Sequence, residues 1–129
     1  MARSPIGRRR SPLLWLFFSL KGRVSRRIYW LAYILVICIQ SVILAQLVGE
    51  EQASFHSLVA GTAPVLLMVT IYWTVAISVK RLHDVGYGGF LAAALFIPLV
   101  NVAFTIWIGI LPGSPDANAY GAGPDLPRP

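Results

Sequence analysis

Apolar residues along this chain gather into three long runs instead of alternating at the strand period or striping at the helical one. The first is Ile28–Val48 (IYWLAYILVICIQSVILAQLV), the second Leu58–Val79 (LVAGTAPVLLMVTIYWTVAISV) and the third Phe90–Leu111 (FLAAALFIPLVNVAFTIWIGIL). None contains a charged residue. At about 1.5 Å rise per residue each reaches about 30 Å as a helix, the thickness of a bilayer's hydrocarbon core. Being apolar on every face, the runs suit lipid better than the core of a small soluble domain. The pattern therefore predicts an all-α membrane protein with three transmembrane helices.

Ahead of the first run, Leu13–Leu20 is apolar but too short to span. Ser11 as cap and Pro12 in the first turn predict a short interfacial helix there. The basic start RRR followed by LLWLFF resembles a signal peptide only loosely, because no small-residue cleavage site follows, so 28–48 is read as an uncleaved span. The organisation expected is a basic N-terminal tail over 1–12, a three-span membrane domain over 13–111, and a Pro/Gly-rich tail over 112–129. That last tail is too poor in apolar residues to pack alone and is expected to be extended.

Composition agrees: of 129 residues 57% are hydrophobic and only 12% charged, against roughly 25% charged in soluble domains. The net charge of +6 raises nucleic acid as a partner, but its distribution points elsewhere. Arg3, Arg8, Arg9, Arg10, Lys21, Arg23, Arg26 and Arg27 precede the first run, and Lys80 and Arg81 sit between the second and third. Glu50, Glu51 and His56 lie in the intervening loop. That alternation follows the positive-inside pattern, which predicts a cytoplasmic N-terminus and Lys80 loop with the C-terminus outside. The basic charge is then topology and attraction to anionic phospholipid, not nucleic-acid binding. Cys38 is the single cysteine and the two histidines are far apart, so no disulfide, metal site or cofactor is expected.

Several polar motifs lie at the ends of these runs. Gly22, Arg23, Arg26, Tyr29 and Trp30 precede or open the first; Arg81, Leu82, His83 and Asp84 follow the second; Ile97 and Pro98 interrupt the third; and Gly113, Asn118, Tyr120, Gly121 and Pro124 follow it. In this order they resemble the family of small bacterial inner-membrane proteins catalogued as domain of unknown function 805, over about Phe17 to Pro124. Two positions depart from that pattern: Ile28 stands where an acidic residue is frequent, and Tyr87, Gly88, Gly89 and Phe90 replace a basic residue, serine, glycine and tryptophan. The resemblance implies an inner (plasma) membrane location and no assigned activity.

The polar residues admit two kinds of role. On helical spacing Arg23, Arg26 and Arg27 share one face, and with Tyr29 and Trp30 they form either an interfacial anchor or an anionic-headgroup site. Arg81, His83 and Asp84 either build the turn, by an Arg81–Asp84 pair or an Asp84 cap, or contribute to a site. Gly86 permits the reversal that follows. Pro98 is expected to kink the third span and free the Ala94 carbonyl; Gln40, at the depth of Asn101, either reaches Asn101 or that carbonyl, or each amide bonds its own helix or a neighbouring subunit. Transport by this chain alone is disfavoured, since no ionisable group lies inside a span. The function expected is a non-enzymatic module binding anionic lipid, a membrane-protein partner or a second copy through Arg23, Arg26, Arg27, Arg81, His83 and Asp84. The alternative is a lipid-acting enzyme or catalytic subunit using His83 and Asp84.

Overall fold

The computed structural model describes residues 11–48 and 53–126. Arg3, Arg8, Arg9, Arg10, Glu50 and Glu51, on which part of the charge argument rests, lie outside these residues, as does the side chain of His56. The described chain is all-helical: α1 (Pro12–Phe18), α2 (Arg26–Val48), α3 (Ala53–Val85), a 3-10 helix (Gly89–Phe96) and α4 (Val100–Ile110).

α1 begins as its sequence dictates, with the Ser11 hydroxyl accepting from Leu14 N at 3.3 Å and Pro12 in the first turn. It packs on α3 through Phe17 and Trp73, whose ring centroids are 4.9 Å apart, and Tyr72 donates to Phe18 O at 2.8 Å. α2 and α3 pair along their lengths, and both are long and apolar enough to cross a membrane. Their outward side chains, among them Leu31, Leu35, Leu44, Val65 and Met68, are exposed, as a lipid-facing surface requires.

The third run does not form the continuous helix expected over Phe90–Leu111. Eight residues wind as a 3-10 helix, the chain bends at Ile97–Leu99, and α4 returns. Pro98 cannot donate to the preceding turn. Leu99 then takes a left-handed φ of 66°, and Val100 N donates to Pro98 O at 2.8 Å, closing a tight elbow. The Ala94 carbonyl is taken by Ile97 N at 3.2 Å and Asn101 Nδ2 donates to Leu95 O at 2.8 Å. Gln40 Nε2 donates instead to Thr70 Oγ1 at 3.2 Å, so the Gln40–Asn101 alternative gives way to bonds each side chain makes elsewhere. At about 2.0 Å per residue in the 3-10 arm and about 1.5 Å in α4, both arms are about 16 Å long, half a bilayer core.

The hairpin begins and ends beside the same turn of α3. Gly89 lies against Val79 and His83, while the Ile108 and Leu111 carbonyls at the far end accept from Arg81. α4 is fastened to α2 by Tyr29 Oη donating to Thr105 O at 3.3 Å and Trp30 Nε1 donating to Gly109 O at 3.1 Å. Tyr29 and Trp30, expected as headgroup-depth anchors, are thus helix-packing residues, and Tyr29 is fully buried. Residues 113–125 consequently lie at the same end of the bundle as residues 22–25 and 80–84. The expectation of termini on opposite sides rested on a third crossing-length helix, and the third run forms two shorter arms instead. A topology reporter inserted between Gly86 and Gly88 and another fused after Pro129 should therefore report the same side of the membrane; opposite sides would require the third run to cross.

Candidate functional site

The polar end of the bundle is built around Asp84. Its Oδ1 accepts from Arg23 Nε at 2.9 Å and its Oδ2 from Arg81 Nη1 at 2.6 Å, with all three residues 3% exposed or less. One carboxylate facing two guanidiniums leaves an excess positive charge, which backbone oxygen compensates. Arg23 donates to the carbonyls of Ser114, Asp116 (2.8 Å) and Gly121 (3.3 Å). Arg81 donates to Ile108 O at 2.9 Å, Val24 O at 3.3 Å and Leu111 O. A guanidinium carries five N–H groups in a planar fork, and only a dense array of oxygens permits its burial.

Local sequence explains half of this arrangement. Arg81 and Asp84, three apart on α3, share one face and pair, as the spacing predicts. Arg23 does not belong to a helical face with Arg26 and Arg27, because α2 starts only at Arg26. It lies in the extended connection after Gly22, whose φ of 106° redirects the chain beneath Trp15. Arg23 therefore turns inward, while Arg26 and Arg27 remain exposed at the start of α2.

Lys80 does structural work that no motif announced. Its ammonium donates to the carbonyls of Trp15 (3.0 Å), Leu16 and Ser19 (2.6 Å), and it lies 5.0 Å from the Trp15 ring. Those carbonyls form the C-terminal end of α1, where unpaired oxygens and the helix dipole attract a cation. All three ammonium donors find partners. α1 is thereby attached to α3 by a cross-helix cap.

The C-terminal segment, expected to be extended, folds over the cluster. Ser114 N donates to Asp84 O at 2.7 Å, Asn118 Nδ2 to His83 O at 2.9 Å, and Asp125 N to Arg23 O at 2.8 Å. Ser25 N donates in turn to Asp125 Oδ1 at 2.9 Å. The His83 and Tyr120 rings stack at 3.9 Å with 2° between their planes, and His83 Nδ1 lies 3.2 Å from Gly22 O. A Cβ at Gly113 would overlap the Asp84 carboxylate, so the segment approaches by virtue of having none. Gly86, with φ 97°, turns the chain out of α3.

The sequence-predicted residues thus divide. Arg23, Arg81 and Asp84 meet in the interior and His83 lies half-buried beside them, whereas Arg26 and Arg27 face outward. Pro98 and Asn101 belong to the distant elbow. Both Asp84 oxygens are held by arginines in a closed interior, an arrangement suited to structure and poorly suited to moving protons. Among the described residues no group of His, Cys, Asp and Glu could hold a metal ion.

These features define a small helical membrane protein whose two long helices, hairpin and terminal segments are joined at one end by a buried ionic cluster. The family described as Protein of unknown function (DUF805) matches residues 17–122, and the chain belongs to it. The chain is similar to Uncharacterized protein YiiR of Escherichia coli (strain K12), at 34% identity over 99 residues, covering 77% of this chain and 62% of that protein. It therefore spans less than two thirds of that relative's length. Inner membrane protein YhaH of Escherichia coli (strain K12) is 26% identical over 113 residues, covering 85% of this chain and 90% of that protein. No solved structure matches. The matched region runs from α1 through the C-terminal segment and so contains every member of the ionic cluster.

Removing Asp84 alone should destabilise more than removing the whole cluster. Asp84→Ala would leave two buried guanidiniums without their counter-ion, a loss of about 3–5 kcal/mol. The combined Arg23→Met, Arg81→Met, Asp84→Leu variant should retain more stability, as measured by thermal unfolding in mild detergent. Gly113→Ala should also lower the unfolding temperature, by displacing the C-terminal segment from Asp84.

Proposed function

We propose that this chain is a multi-pass protein of the bacterial inner membrane that acts as a non-enzymatic module, binding anionic phospholipid through the cations its ionic cluster does not use. The carrying observation is the division of its basic residues. Arg23, Lys80 and Arg81 are buried and multiply hydrogen-bonded, whereas Lys21, Arg26 and Arg27 are exposed around the start of α2. The first turn of α2 has no acidic residue, so two arginines sit at the positive end of its dipole. Ser25 Oγ accepts from Ile28 N and the Asp125 carboxylate from Ser25 N, so the helix start has its own cap and the two exposed guanidiniums are the groups left to pair with a lipid phosphate.

An inner-membrane relative and two crossing-length helices support the location. The excess of Lys and Arg ahead of α2 favours a cytoplasmic position for this end, and the hairpin then carries the C-terminal segment to the same face. Cations near an anionic membrane surface contribute about 1 kcal/mol each. Replacing Lys21, Arg26 and Arg27 together with Gln should therefore reduce phosphatidylglycerol and cardiolipin retained through purification, measured by native mass spectrometry, by more than about tenfold. The unfolding temperature should change little, because among the described residues these side chains make no internal hydrogen bond. Undiminished anionic lipid on the triple variant would overturn the proposal, and a lost protein partner instead would move the site from lipid to protein.

A further inference from the structure

A second feature lies far from the ionic cluster. Between α2, α3 and the 3-10 arm there is a cavity of about 290 Å³, lined by polar Tyr33, Gln40, Thr74 and Asn101 among apolar neighbours. Gln40 is fourteen positions beyond Arg26 and Thr74 eleven before Val85, so at about 1.5 Å per residue it lies roughly 16–21 Å from the polar end, near mid-bilayer. Its rim includes Ile37, Ile71 and Phe96, all partly exposed, so it opens toward hydrocarbon.

The cavity keeps hydrogen-bonding capacity of both kinds, because each carboxamide nitrogen carries two N–H groups and uses one. Gln40 Nε2 donates to Thr70 Oγ1, Asn101 Nδ2 to Leu95 O, and Thr74 Oγ1 to Thr70 O at 2.9 Å. Among the described residues nothing donates to Gln40 Oε1, Asn101 Oδ1 or Thr74 Oγ1. Three acceptor oxygens and two spare amide N–H groups at a depth without bulk water favour a ligand group that both donates and accepts, as a hydroxyl does. No cationic or carboxylate side chain lines the space, so the complementary polar group is uncharged. A phospholipid, whose phosphate stays at the surface, cannot place its headgroup there.

We propose that this cavity is a binding site for a neutral, hydroxyl-bearing lipid that inserts its polar group from the bilayer interior. A diacylglycerol and an isoprenoid quinol share this chemistry. The hairpin creates the site: a third helix crossing straight through would remove the elbow that brings Leu95, Phe96 and Asn101 against α2 and α3.

The full chain, reconstituted in phosphatidylethanolamine–phosphatidylglycerol nanodiscs, would be exposed to diazirine-bearing diacylglycerol, quinol or phosphatidic acid, the last supplying similar tails with a charged head. Labelling by one neutral probe is expected at residues 36–40 and 95–101, suppressed by its unlabelled counterpart, and the neutral probe that labels identifies the source. It should fall about fivefold with each acceptor lost, in Gln40→Leu, Asn101→Leu and the milder Thr74→Val. Labelling equal to that by phosphatidic acid, or no competition in the unaltered chain, would overturn the site, showing a cavity filled by water or by lipid tails alone. Neither result depends on Lys21, Arg26 or Arg27, so the two sites stand or fall separately.

Discussion

Two arginines buried on one aspartate set the conditions for the rest of this structure. Taking charged groups out of water costs several kcal/mol each, and the pairing repays that only where every donor has an oxygen to meet. Asp84 supplies two oxygens; the remaining acceptors are carbonyls of Val24, Ile108, Leu111, Ser114, Asp116 and Gly121. These belong to the connection before α2, the end of α4 and the C-terminal segment. Satisfying the charges thus requires three separate stretches to converge on the end of α3. Val24 and Ile108 are also fully buried in the apolar core, and the shared cluster adds the polar contacts that fix these stretches to one another.

The same constraint accounts for the hairpin. α4 must end beside Arg81 for its last carbonyls to serve as acceptors, and a straight third crossing would carry them to the opposite side of the bilayer. The elbow at Pro98 and Leu99 turns the chain back, at the expense of one non-glycine residue in a left-handed conformation. Backbone exposed at that depth has no water to turn to, and the elbow closes its own bonds through Ile97, Val100 and Asn101. The arrangement leaves polar side chains facing a cavity in the middle of the bundle, a consequence of folding back instead of passing through.

Charge at the polar end therefore has two uses that composition does not separate. Arg23, Lys80 and Arg81 hold α1, α3, α4 and the C-terminal segment together, while Lys21, Arg26 and Arg27 remain for the surroundings. Near neighbours take opposite parts: Arg23 and Arg26 differ because the extended connection ends and the helix starts between them. Tyr120 lying flat on His83 adds an aromatic contact between the tail and α3, so the tail is held by stacking as well as by hydrogen bonds.

What depends on neighbours in sequence was legible without the structure. The apolar lengths of α2 and α3, the Ser11–Pro12 start of α1, and the Arg81–Asp84 pair all follow from spacing along one helix, because such interactions involve residues already held close by the chain. The matched motifs likewise identified the family, and with it the segments that form the cluster. Tertiary structure alone decided that Arg23 meets an aspartate sixty-one positions away, that Lys80 caps another helix, and that the third run folds back. An uncharged apolar stretch is equally soluble in lipid as one crossing or as two half-length arms, so hydropathy is silent between them. The choice is made by distant carbonyls and buried charges that must find each other, and that requirement exists only once the chain is folded.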